Sequence, residues 1–205
     1  AAELGAKTGI IAPDAKTAET LAGWGAGTVD VKAWRSDADA TYAKKIMIDG
    51  AALGPQVAAP ASPENAADVG EHAGTRLDQA YLGACTGAKV EDLRMAAKVL
   101  KGRKAAKGFR FLVAPSTARM RERAAAEGTL KVLEDAGAKI LPSGCGGCIG
   151  MGEARLPENA VGISSTNRNF VGRAGPKSSK LYLASPYTVA ASAITGKITD
   201  PREFL

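Results

Sequence analysis

Short apolar segments alternate with longer amphipathic segments along most of the chain. Short apolar runs bounded by glycine, proline or charged residues are typical of buried strands, and apolar residues spaced three or four apart are typical of helices. The pattern predicts strands over 8–13, 44–53, 77–82, 109–115, 138–142, 160–165 and 180–186. It predicts helices over 14–24, 90–102, 117–137 and 186–196, with a break near Gly128.

This regular order of strands and helices predicts an α/β fold with a mainly parallel sheet. Residues 54–65 include three prolines and are predicted to form a loop, which makes them the best candidate for a domain boundary. We therefore expect residues 1–60 to end an α/β domain that begins upstream, and residues 61–205 to form a second α/β domain. Because the chain starts with Ala1 rather than Met, we expect it to be an excerpt or a processed product.

The composition is that of a globular protein with a modest excess of positive charge. Of the 205 residues, 27 are basic and 21 acidic, and the net charge is +6. The densest basic cluster, Lys101–Lys107, follows a predicted helix, where cations suit the helix dipole. No basic run interleaved with aromatic residues, no long apolar segment and no signal peptide is visible, so we expect neither nucleic acid nor membrane as a partner. The positive balance would suit an anionic small-molecule substrate.

Three cysteines and one histidine limit the chemistry that the chain can perform. An odd number of cysteines cannot pair completely, which argues against a disulfide scaffold and favours a reducing compartment, the cytoplasm. A Ser-His-Asp triad would need His72, whose neighbours do not indicate a catalytic role. We expect His72 to be an ordinary surface or loop residue.

Polar and thiol side chains follow three of the predicted strands. Cys85 follows the strand that ends at Leu82, and Cys145 and Cys148 follow the strand that ends at Leu141. The segment 167–173 follows the strand that ends near Ser164. In open α/β sheets, ligands bind at the carboxyl ends of the strands. The sequence therefore predicts that the three segments converge on one site.

The cysteines alone allow several kinds of site. A redox pair of Cys145 and Cys148 would leave Cys85 without a role, and a structural zinc site would need four ligands, with only Cys85 and His72 to complete it. Three thiolates suit a [4Fe–4S] cluster with one iron open to substrate, because soft thiolates favour iron–sulfur clusters. Simple structural thiols in a glycine-rich loop explain the spacing equally well.

Four motifs resemble a known family. GACTGAKVEDLRMAAKVLKGRK, SGCGGCIG, SSTNRNFVGRAG and YLASPYTVAASAITGKITDP look like the second half of an aconitase-family large subunit, in the isopropylmalate isomerase and homoaconitase branch. The resemblance runs in one order along the whole chain. It implies a three-layer α/β/α fold and a hydro-lyase that dehydrates and rehydrates a 2-hydroxy di- or tricarboxylate. The expected substrate is 3-isopropylmalate, and a hydratase of homoaconitate or of the dimethylmalate or citramalate type is the alternative.

The resemblance also implies roles for individual residues. The family's cluster ligands fall on Cys85, Cys145 and Cys148, its substrate-binding residues on Asn167, Arg168 and Arg173, and an acidic catalytic residue on Glu3. It implies two partners that would complete the active site: the N-terminal half of the large subunit and a small swivel-domain subunit.

Two positions depart from the family pattern. Gly87 stands where the family usually has Asn, so one cluster or substrate contact would be missing, and Val171 stands where a charged residue is common. A non-enzymatic iron–sulfur or zinc-binding module is the alternative of another functional class.

Overall fold

A computed structural model describes Ala1 and residues 5–205. The chain divides into two compact units, Ala1–Ala52 and Leu53–Leu205. The predicted boundary at residue 60 stays a prediction about the domains of a longer protein. Glu3 lies outside the described residues.

The first unit contains one α-helix, α1 (Ala15–Gly23), and two short 3₁₀ helices, Val31–Trp34 and Gly50–Ala52. Helix α1 begins where the sequence predicts, because the Asp14 carboxylate accepts a hydrogen bond from the Thr17 N–H at 3.0 Å.

The strands predicted over 8–13 and 44–53 do not form; this part of the prediction is wrong. Their backbone has no adjacent strand with which to pair, and no described residue of the first unit is buried. An apolar segment without pairing and burial has little reason to become a strand.

The second unit contains a seven-stranded sheet in the order β2-β1-β7-β6-β3-β4-β5. The strands from β7 to β5 run parallel, and β1 is antiparallel to both of its neighbours. This confirms the α/β class with a mainly parallel sheet. The strands are β1 (Gln56–Ala58), β2 (Ala66–Asp68), β3 (Gln79–Leu82), β4 (Arg110–Val113), β5 (Lys139–Ile140), β6 (Val161–Ser164) and β7 (Lys180–Ala184).

Helices cover one face of this sheet, and irregular chain covers the other. Leu82, Phe111 and Ile163 point toward the helices and form one buried core with Leu93 and Val189. The helices are α2 (Val69–His72), α3 (Val90–Leu100), α4 (Ala118–Ala126), α5 (Thr129–Asp135) and α6 (Pro186–Thr195). None of the helices in the described ranges is long and apolar enough to cross a membrane.

The opposite face packs in two smaller clusters beneath the segments that follow β5 and β6. The first cluster contains Tyr81, Leu112 and Leu141, and the second contains Leu156 and Leu181. Residues next to each other along a strand point to opposite faces, so Tyr81 and Leu82 belong to different cores. This face lies beneath the loops that carry most of the predicted site residues.

Candidate functional site

The three predicted loops emerge from the carboxyl edge of the parallel strands. The Cys85 turn follows β3, the Cys145 loop follows β5, and the segment containing Asn167 and Arg173 follows β6. Strands β6 and β3 are direct neighbours, while β4 separates β3 from β5. The three loops therefore begin at strands that are direct neighbours or separated by one strand.

Ser165 joins the Cys85 turn to the end of β6. Its buried hydroxyl donates to the carbonyl of Gly87 at 2.8 Å, and it lies 3.1 Å from both the N–H and the carbonyl of Gly83. The Ser165 N–H also donates to the carbonyl of Tyr81 at 3.2 Å. One side chain thus satisfies backbone groups on both sides of Cys85 and holds the turn against β6.

Gly87 permits this close approach. A Cβ atom at position 87 would lie 2.0 Å from the Ser165 carbonyl oxygen and 2.6 Å from its hydroxyl oxygen. Gly87, one of the two departures from the family pattern, therefore allows the close contact with Ser165. No larger side chain fits the turn in this conformation.

We predict that Gly87→Ala displaces the Cys85 turn and lowers the free energy of unfolding by about 2 kcal/mol, in the range of overpacked sites. Urea unfolding followed by circular dichroism measures the change. Gly23→Ala is the control, because a Cβ atom there meets nothing within 4 Å. Equal unfolding midpoints for the two variants would contradict the predicted clash.

The Cys145 loop closes on itself through a short 3₁₀ helix, Gly146–Ile149. The Cys148 N–H donates to the Cys145 carbonyl at 2.8 Å, and Gly150 ends the turn with a φ of 67°. A Cβ atom at Gly150 would lie 3.0–3.1 Å from the backbone of residues 173–175. Glycine therefore lets the Cys145 loop pack directly on the segment that carries Arg173.

Cys148, Asn167 and Arg173 meet at this contact. Arg173 Nη2 donates to the buried Cys148 Sγ at 3.7 Å, and Cys148 Sγ lies 3.9 Å from Asn167 Oδ1. The Arg173 Nε atom is buried and has no hydrogen-bond partner within the described part of the chain. This N–H is therefore available to an acceptor from outside the described residues, and its positive charge favours an anionic one.

The neighbouring residues 168 and 169 have different surroundings. Arg168 is half-buried on the same segment. Asn169 is buried, and its side-chain amide donates to the carbonyls of Ala59 at 2.7 Å and Leu181 at 3.2 Å. Asn169 therefore anchors the segment to β7 and to the residue that follows β1.

Tyr81 lies among the three cysteines. Its hydroxyl donates to the carbonyl of Cys145 at 3.5 Å. Burial raises the pKa of Tyr81 to about 12, and the charges of Cys148, Cys145 and Cys85 act in the same direction, against a backbone hydrogen bond from Gly147. The Tyr81 hydroxyl therefore stays protonated at neutral pH.

The cysteines are free thiols, with Cys85 and Cys145 exposed and Cys148 buried. Among residues 1 and 5–205, no three His, Cys, Asp or Glu side chains lie close enough to hold one metal ion. The structure thus brings Cys148, Asn167 and Arg173 into contact, and it places Cys85 and Cys145 around the same tyrosine without direct contact to that group.

Sequence reasoning missed Ser165, Asn169 and Tyr81. The second asparagine of the motif N-R-N-F was available as a signal for Asn169. Ser165 and Tyr81 look like ordinary strand residues in the sequence, because their contacts depend on which strands become neighbours.

The fold and the site define an α/β protein with a thiol and cation site at the carboxyl edge of its parallel strands. A sequence model of the Aconitase family (aconitate hydratase) matches residues 1–196. The chain belongs to the Aconitase family.

Curated relatives give the same result at the level of individual proteins. The 3-isopropylmalate dehydratase large subunit 1 of Methanopyrus kandleri is 44% identical over 205 residues, which cover 100% of this chain and 49% of that protein. The protein of the same name from Pyrococcus furiosus is 45% identical, with 99% and 48% covered. The homoaconitase large subunit of Thermus thermophilus is 43% identical, with 98% and 46% covered. The chain spans about half the length of the curated relatives it matches.

Membership of this family implies an iron–sulfur cluster. The side chains that could bind such a cluster are the three thiols. Three free thiols are soft ligands that suit iron, and the segments 83–87 and 144–150 around them contain six glycines, which let backbone N–H groups approach a ligand. Arg173 donates to one of the sulfur atoms, which suits an anionic thiolate ligand. The residues present therefore fit such a group.

Proposed function

We propose that this chain is the cluster-bearing part of a hydro-lyase that reversibly dehydrates and rehydrates a 2-hydroxy dicarboxylate, with 3-isopropylmalate as its substrate. The observation that carries the proposal is the Arg173 side chain. Its guanidinium contacts Cys148 Sγ with Nη2, and its buried Nε lacks an acceptor in the described residues. A substrate carboxylate at this position would supply the acceptor next to the proposed cluster ligand.

The residues of the segment 167–173 would bind and orient the substrate. Arg173 and Arg168 would hold carboxylates through charge-assisted hydrogen bonds, and the Asn167 amide would contact the polar end of the substrate. The rigid anchoring of this segment by Asn169 supports such a role, because positioned donors lower the cost of binding. Glu3 stays a predicted acidic catalytic residue.

Cys85, Cys145 and Cys148 would hold a [4Fe–4S] cluster. When bound, this cluster supplies a Lewis acid that assists departure of the substrate hydroxyl. The three free thiols support the proposal, because soft sulfur ligands favour an iron–sulfur cluster. A structural zinc site would require a fourth nitrogen or sulfur ligand.

A complete active site would require partners. The relatives carry the name "large subunit", and this chain spans about half of their length. We therefore propose the rest of a large subunit and a small swivel-domain subunit as partners.

Homoaconitate is the second candidate substrate, because one relative of similar identity is named homoaconitase large subunit. Homoaconitate is an unsaturated acid, so the enzyme would add water to it rather than remove water from it. Both candidates carry carboxylates, the groups that Arg173 would bind.

We predict that the whole protein, purified and reconstituted without oxygen, binds iron and inorganic sulfide in equal amounts. It should dehydrate 3-isopropylmalate in the presence of its small subunit. Metal analysis, sulfide determination and the ultraviolet absorbance of the unsaturated product measure these properties.

Each part of the proposal can fail separately. Zinc without sulfide would overturn the cluster, and cluster binding without turnover of any hydroxy acid would support a non-enzymatic module. Faster turnover of homoaconitate than of 3-isopropylmalate would replace the substrate and leave the reaction class unchanged.

A further inference from the structure

Tyr81 packs against both cysteine-bearing loops at once. It is 3% exposed and forms a small core with Leu112 and Leu141, on the face of the sheet beneath the Cys145 loop. A Cβ atom at Gly83, in the turn before Cys85, would lie 2.4 Å from the ring Cζ atom. A Cβ atom at Gly147, between the other two cysteines, would lie 3.2 Å from ring Cε1.

The absence of a side chain at these two glycines therefore leaves room for the same ring. Because the interior of a protein is close-packed, a ring held between two segments fixes the distance between them. The Cys85 turn is also bound to the end of β6 through Ser165. Two side chains of β3 donate to the segment that follows β5: Gln79 to the carbonyl of Ala154 at 2.9 Å, and Tyr81 to the carbonyl of Cys145, next to the thiols.

The Tyr81 hydroxyl group also contacts the Cys145 peptide. It donates to the Cys145 carbonyl, and a Cβ atom at Gly146 would lie 3.5 Å from the hydroxyl oxygen. A phenylalanine would fill the same space without this bond. A tyrosine that is buried needs a partner for its hydroxyl, and here the partner is the peptide of a proposed cluster ligand.

We propose that Tyr81 is a positioning residue for the thiol site: its ring sets the spacing between the Cys85 turn and the Cys145 loop, and its hydroxyl orients the Cys145 peptide. The expected effect of Tyr81 on the cluster rests on the proposed function. The positioning of the loops themselves can be measured without metal.

The test compares Tyr81→Phe with Tyr182→Phe in the whole protein. Tyr182 lies on β7, two strands from β3, and its ring contacts His72 at a centroid distance of 5.6 Å. Both variants lose only a hydroxyl group, so both are expected to keep the parent's circular dichroism spectrum.

In the metal-free protein, we expect iodoacetamide to alkylate Cys145 about twofold faster in Tyr81→Phe than in the parent or in Tyr182→Phe. In the reconstituted protein, we expect Tyr81→Phe to lose its visible cluster absorbance to a chelator about twofold faster, with an altered electron paramagnetic resonance spectrum after reduction. About twofold is less than the effect of a typical hydrogen bond, because the 3.5 Å distance from the Tyr81 hydroxyl to the Cys145 carbonyl is long for an O–H···O bond.

Equal alkylation and equal cluster loss in all three proteins would overturn the positioning role. If the parent binds no iron and sulfide, the proposed function fails, and the alkylation rates still decide on Tyr81. Faster cluster loss in Tyr182→Phe as well as in Tyr81→Phe would show a general loss of stability and would also overturn the proposal.

Discussion

Cys148→Ser is expected to remove almost all bound iron and sulfide and to abolish dehydratase activity. Cys148 is 4% exposed and lies against both Arg173 and Asn167, so its sulfur is the point where the thiol loop and the proposed substrate segment meet. A serine hydroxyl is a hard donor with a high pKa, and it replaces a soft thiolate poorly as an iron ligand. Metal and sulfide analysis after anaerobic reconstitution measures the loss.

Ser143→Ala is the control for this variant. Ser143 lies in the same loop, and its buried hydroxyl has no hydrogen-bond partner in the part of the chain that the structure describes. Its removal should leave iron, sulfide and activity at the level of the parent. If Cys148→Ser keeps its iron and loses only stability, the three cysteines are structural thiols and the cluster assignment is wrong.

Arg173→Lys is expected to lower kcat/KM about 100-fold, mainly through a higher KM. Lysine keeps the positive charge, but it lacks the two fixed N–H groups with which Arg173 would contact Cys148 Sγ and the proposed substrate carboxylate together. Each hydrogen bond between charged groups contributes roughly 1.5–3 kcal/mol, so the loss of one or two accounts for the expected change. Steady-state kinetics with 3-isopropylmalate measures it.

Iron content must be measured alongside these kinetics, because Arg173 also contacts a proposed cluster ligand. Arg155→Lys is the matched control, since Arg155 is exposed and nearby in sequence. An unchanged KM for Arg173→Lys, together with reduced iron, would assign Arg173 to the cluster alone and would remove it from the substrate site.

The sequence predicted the second unit well and the first unit poorly. Strands such as β3 and β4 are short, apolar and bounded by clear turn residues, so their pattern indicates them without knowledge of their neighbours. The apolar residues of 8–13 and 44–53 give a similar signal, but a strand also requires a paired edge, which no local pattern reveals. Strand β1 was missed for the opposite reason, because the prolines around it favoured a loop.

The same limit applies to the site. The sequence predicted that Cys148 and the segment 167–173 would come together, because both follow predicted parallel strands. The role of Ser165 in holding the Cys85 turn could not be predicted, because it depends on β6 being the direct neighbour of β3. The close contact between Gly87 and Ser165 also depends on β6 lying next to β3. From the sequence alone, Gly87 therefore indicated only the loss of a contact that the family usually makes.

The position of β6 between β3 and β7 has a consequence for biosynthesis. A ribosome delivers Cys85 first and the Cys145 loop later, but Ser165 and Arg173 emerge only after both. Until β6 pairs with β3, the early thiols lack the contacts that Ser165 and Arg173 supply. We therefore expect the thiol site to take its final form only after the sheet is complete.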